Sequence, residues 1–148
     1  MSGIHFSPLT AIPVGPAGPP SKLTVSPYSG TAIVVASTGL VQETDSQWVL
    51  LGLTVPDGVT VMGFVVCYQI LGGESTYISQ VRLSEMTKPN KAIVRYDDPN
   101  NNSSTVPVCH TREFNPGFAV AGTLTLELKM VIGRQGDKIL VGGITLLT

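Results

Sequence analysis

Proline and glycine break this chain so often that a helix has nowhere to grow. There are 11 prolines and 16 glycines. Proline fixes φ and removes a backbone donor, and glycine carries an entropic cost inside regular elements. The runs left between these breaks are rich in β-branched residues and read as strands. From Lys22 onward they are Thr31–Ala36, Gln47–Thr54, Thr60–Leu71, Tyr77–Met86, Ala92–Tyr96, Thr105–His110, Thr123–Ile132 and Lys138–Leu147. The clearest alternation is in the seventh. Leu124, Leu126, Leu128, Met130 and Ile132 face one way, while Thr125, Glu127 and Lys129 face the other. Turn chemistry separates the runs: Pro56-Asp57-Gly58, Gly72-Gly73, Lys88-Pro89-Asn90 and Gly133–Asp137. About eight or nine strands at roughly 8–12-residue spacing predict an all-β, jelly-roll-like antiparallel sandwich.

The first 30 residues form a compositional zone of their own. Pro8, Pro13, Pro16, Pro19, Pro20 and Pro27 fall within it, a density that prevents regular pairing in a sheet interior. The organisation expected is an extended Pro/Gly-rich arm over residues 1–21 and one sandwich domain over 22–148, in keeping with a 148-residue chain. Within the arm, Gly15-Pro16-Ala17-Gly18-Pro19-Pro20 makes two Gly-X-Y triplets. Those triplets and the strand count together resemble the trimeric jelly-roll heads that follow collagen-like stalks, as in the C1q and tumour-necrosis-factor class. A stiff linker that matches by chance is the plainer reading of the triplets, and no functional residue is carried over.

Only 13% of residues are charged, about half the roughly 25% of ordinary soluble domains. Net charge is −1, which gives no electrostatic footprint for nucleic acid or an anionic membrane. No run approaches the roughly 20 apolar residues of a membrane-spanning helix. Met1–Phe6 has neither the positive nor the apolar region of a secretory leader, and an extracellular or particle-surface setting is slightly favoured. Thr60–Leu71 and Lys138–Leu147 are apolar on both faces, so their outer face must be covered. The expectation is therefore a non-enzymatic structural protein that assembles with copies of itself, a trimer being favoured. Its apolar arm residues Ile4, Phe6, Leu9, Ile12 and Val14 would latch onto a neighbour by strand addition. The alternative is a ligand-binding module of the carbohydrate type, with exposed aromatics such as Tyr77 and Phe118 as contacts. Trp48 opens an apolar strand and is expected in the core.

Chemistry-bearing residues are sparse. Cys67 and Cys109 are either two buried thiols or one disulfide. Their spacing fits no zinc pattern. His110 follows Cys109 directly, and strand neighbours point to opposite faces, so the two make a poor nucleophile pair. No nucleophile elbow, phosphate loop or His-Glu-x-x-His is present, and no cofactor is expected. Among the carboxylates, Glu85 and Glu127 fall in strands. Arg82 near Glu85 reads as a structural ion pair. Asp97, Asp98 and Asn100 lie in a loop dense in oxygen ligands, which makes them calcium candidates. The same residues are what any tight exposed loop uses. Asn101-Asn102-Ser103 and Asn102-Ser103-Ser104 are glycosylation sequons that matter only in a secretory pathway.

Overall fold

The computed structural model describes residues 2–14, 22–30, 32–37 and 45–148. The two Gly-X-Y triplets at 15–20 lie outside the described residues. Among those described, eleven strands form two antiparallel sheets: β1 (Gly3–Phe6), β2 (Ile12–Val14), β3 (Leu23–Tyr28), β4 (Ala32–Ser37), β5 (Asp45–Leu53), β6 (Thr60–Leu71), β7 (Tyr77–Lys88), β8 (Lys91–Asp98), β9 (Val108–Ala119), β10 (Thr123–Ile132) and β11 (Lys138–Leu147). Sheet A runs β3-β4-β11-β6-β9, with β1 added to β11, and sheet B runs β2-β5-β10-β7-β8. The eight strands β4 to β11 alternate between the sheets except at the β7–β8 hairpin, which lies within sheet B, as in a jelly roll. No described helix is long and apolar enough to cross a membrane.

Alternation places the core. On β10, Leu124, Leu126, Leu128, Met130 and Ile132 are fully buried, and they meet Val35, Phe64, Ile139, Ile144 and Leu146 from sheet A. Of its outward residues, Thr125, Glu127 and Lys129 are intermediate in exposure, Thr123 is exposed and Val131 is buried. Proline obeys the pairing rules. Pro13, Pro27 and Pro116 all lie in edge strands, where a missing N–H need not break a ladder. Gly58 adopts φ 83° at the turn after Pro56-Asp57, a conformation that only glycine takes without strain.

The arm does not hang free. β1 pairs with the last strand, Phe6 opposite Ile144 and Ile4 opposite Leu146. It takes the place beside β11 that β4 vacates, because β4 pairs with Lys138–Val141 only. A 3₁₀ turn follows at Pro8–Thr10, capped by the Ser7 hydroxyl, which accepts from the Leu9 amide. It carries the chain across the sandwich end, burying Pro8 and Ala11. β2 then pairs with β5 in the other sheet. Ile4, Phe6, Ile12 and Val14 thus lie in strands of their own chain's sheets, and Leu9 is exposed on the turn.

Candidate functional site

The outer face of sheet B carries the most organised constellation of side chains. β5 turns Val49, Leu51 and Leu53 inward, where they are buried, and Gln47 with them. Trp48, Leu50 and Gly52 therefore point outward. Directly opposed residues of an antiparallel pair share a face, so the registers write out two rows. One runs Ile12, Leu50, Glu127, Arg82, Asp97 across all five strands. The next runs Val14, Trp48, Lys129, Gln80. Tyr77, opposite Val131, extends the face by one further row.

The face is divided by chemistry. Its β2–β5 half is apolar: Ile12 is 57% and Val14 38% exposed, and Leu50 and Trp48 are half-buried beside them. Its β10–β7–β8 half is polar. The Gln80 carboxamide donates to Asp97 Oδ1 at 2.6 Å, and Ser84 donates to Glu127 Oε2 at 3.4 Å. Arg82 lies 3.6 Å from Asp97 and 3.8 Å from Glu127, beyond direct hydrogen bonding. Its Nε has no hydrogen-bond partner among the described residues. The guanidinium carbon sits 4.9 Å from the Trp48 ring centroid, and Lys129 Nζ 5.9 Å from it. Two cations thus border one indole, an attractive arrangement.

The carboxylates read from sequence separate into two kinds. Arg82 serves Asp97 and Glu127 outside, while the buried Glu85 is met by Arg95 instead. Asp97 and Asp98, as strand neighbours, point to opposite faces. Both oxygens of Asp98 are engaged inside. Oδ1 accepts from the Asn100 amide and side chain, and Oδ2 accepts from Arg112 Nε at 2.6 Å. No group of three or more His, Cys, Asp or Glu among the described residues could hold a metal. Of the sequon asparagines, Asn102 is buried and its backbone bridges to Ile78.

Cys67 and Cys109 form a disulfide between β6 and β9, which leaves no thiol for a cysteine nucleophile. His110 lies 3.7 Å from Asp98. Burial and then Arg112 lower its pKa against the opposing pull of Asp98. Phe118 stacks on Phe114, which stacks on Tyr96, which meets Phe64 edge-on, and Arg95 covers Phe118. Phe118 is thus an anchor of the sandwich end. Trp48, expected in the core, is on the outer face. Gln47, Val49 and Leu51 share the inward phase and Trp48 and Leu50 the outward one, and with apolar residues in both, periodicity does not say which is the core.

No family model matches this sequence, and no curated protein does. Similar folds occur among solved structures. A family 11 carbohydrate-binding module from Clostridium thermocellum, in complex with a β-1,3-1,4-mixed-linked tetrasaccharide, superposes with a TM-score of 0.53 at 10% identity, over 99% of this chain and 87% of that one. A family 36 module in complex with calcium and xylotriose gives 0.52 at 9% identity, over 99% and 100%. A family 29 module complexed with mannohexaose gives 0.51 at 14% identity, over 99% and 92%. Identities this low speak for the fold.

These neighbours correct the expectation of a self-assembling structural protein. They are ligand-binding modules of the carbohydrate type, the class weighed above as the alternative. The arm on which the assembly argument leaned spends its strands on its own sheets. The low charge finds part of its explanation there too, because the arm covers surface that charge would otherwise solvate.

Proposed function

We propose that this chain is a carbohydrate-binding module that takes its ligand on the outer face of sheet B. The observation that carries the reading is the division of that face around Trp48: apolar side chains on one flank, hydrogen-bonding charged ones on the other. A sugar ring has the same division, with C–H groups on its face and hydroxyls at its rim. The indole offers a broad apolar platform at low entropic cost. Glu127 and Lys129 one strand away, Arg82 and Gln80 two and Asp97 three supply donors and acceptors. Arg82, whose Nε makes an ion pair with Asp97 but no hydrogen bond, can turn its guanidinium from the indole toward ligand hydroxyls without breaking a hydrogen bond made by that atom. Trp48 and Tyr77 are offset by two strands and two residues, so roughly 12 Å separates their backbones and a linear oligosaccharide can lie along both. The similar modules hold a mixed-linked tetrasaccharide, xylotriose and mannohexaose, which supports the same ligand class here.

The test is a glycan array, followed by calorimetry on the best ligand with Trp48→Ala and Phe118→Ala. Trp48→Ala should weaken binding at least tenfold, about 1.4 kcal/mol, with an unchanged melting temperature. Phe118→Ala should lower the melting temperature and leave the affinity within about twofold. No glycan retained by the wild type, or equal affinity in Trp48→Ala, overturns the reading.

A further inference from the structure

The opposite face of the sandwich holds a cleft that the proposed sugar face does not use. It lies on the outer side of sheet A and has a volume of about 360 Å3, within the range of small-molecule sites. The sequence builds it by omission. Ile33, Val141 and Tyr68 form an inward-facing row across β4, β11 and β6. One step along each strand brings Ala32, Gly142 and Cys67 to the outer face, and Cys109 lies opposite Cys67 on β9. Four positions in a row thus carry a methyl, a hydrogen and a disulfide where larger side chains would fill the surface. The β11 register slips just beyond Val141, at Gly142-Gly143. Tyr28, 48% exposed, stands at the β3 side, and Pro107 and Val108 stand at the β9 side. Leu140 adds to the apolar lining.

We propose that this cleft is a second binding site, for an uncharged and mainly apolar small molecule resting on the Cys67–Cys109 disulfide. The chemical class follows from the lining. No charged side chain lines the cleft among the described residues, so a charged ligand would be desolvated with nothing to repay the cost. The aromatic wall of Tyr28 and the polarizable disulfide favour contact with a ring. Gln69 already donates to the Thr105 carbonyl and Tyr68 already accepts from the Ser104 amide. Ser29 and the Tyr28 hydroxyl remain to orient a single polar substituent.

Gly142 gives a clean probe. A Cβ built there meets only Cys67 atoms, at 3.6 Å, in ordinary contact, and its φ is not positive. A longer side chain at 142 therefore enters the cleft without straining the backbone. The experiment titrates the protein with N-phenyl-1-naphthylamine, an uncharged fluorescent probe, and with 1-anilinonaphthalene-8-sulfonate, which has the same rings and a charge. Saturable one-to-one binding of the neutral probe is expected, at least tenfold tighter than the sulfonate. Gly142→Leu should weaken it at least tenfold, and Tyr28→Ala, at an edge strand, several-fold. Trp48→Ala, on the opposite face, should leave it within twofold, so this site and the sugar face stand or fall separately. Saturating probe should slow reduction of the disulfide by dithiothreitol. The proposal is overturned by unsaturable binding, by equal binding of the sulfonate, by an affinity unchanged in both cleft variants, or by an unchanged reduction rate.

Discussion

Glu85 is fully buried, and what surrounds it decides its charge. Its Oε2 accepts from the Ala121 and Gly122 amides at 2.7 and 2.9 Å, and its Oε1 accepts from Arg95. Burial alone would push the carboxyl up. The Ala121 amide, Arg95 and the Gly122 amide together outweigh it and hold Glu85 below its ordinary value. The residue is therefore a peg, fixing the β9–β10 turn against β7. Removing it strands two amides and a guanidinium, and leaving buried groups unpaired is the costly part of such a change. Glu85→Ala should cost about 3 kcal/mol in urea unfolding with little change in the slope of the transition. A loss under about 1 kcal/mol would mean that water takes over the carboxylate's bonds. Glycan binding should be unaffected, because Trp48 and Arg82 lie on the other side of the sheet.

Among the elements, the arm is the one whose role changes most with the structure in view. The prolines made the absence of a regular α-helix in the arm legible, although Pro8 opens a 3₁₀ turn rather than continuing the extended chain. Its destination was not legible. Phe6 finds Ile144 across almost the whole length of the chain, and no local signal encodes such a contact. β10 was the reverse case: strict alternation with one polar face gave its inward, buried residues correctly from sequence. β5 failed in part because both its phases hold apolar residues, so periodicity cannot say which phase is the core. The candidate face on sheet B was therefore hidden, because it is assembled from five strands and rests on registers rather than on a motif. The arm closes the ladder beside β11 and β5 and buries Pro8 and Ala11. Deleting residues 2–14 should cost about 3 kcal/mol from lost apolar burial and unpaired backbone groups. For a chain of this size that lowers the melting temperature by about 10 °C. Calorimetry of the truncated protein reads this directly, and an unchanged midpoint would show that the arm contributes no stability.

At the scale of the whole molecule, the two sheets are joined along one flank by a polar seam beside the aromatic stack of Tyr96 and Phe114. Asp98 ends β8, Arg112 and His110 lie on β9, and these strands are edges of opposite sheets. Burial pushes Asp98 up, but the Asn100 amide, Arg112 and the Asn100 side chain outweigh it, so its carboxyl stays below the ordinary value of 3.8. Glu85 stays below 4.5 in the same way. His110 falls below 6.5, because burial and Arg112 disfavour its charged form more than Asp98 favours it. The signs then follow by linkage. The two carboxylates stabilise the fold above their unfolded values, and this is lost as pH falls through their folded ones. His110 contributes nothing above about pH 6.5, where it is neutral in both states. Below that, the unfolded chain takes up a proton that the folded chain resists, so stability declines until the folded histidine is also protonated. The melting temperature should therefore be flat from pH 8 to 7, slope gently below 6.5 and fall steeply below about 4.5. His110→Gln should abolish the gentle slope and keep the steep one. A gentle slope that persists in His110→Gln would assign the first stage to another group and leave the seam without a titrating histidine.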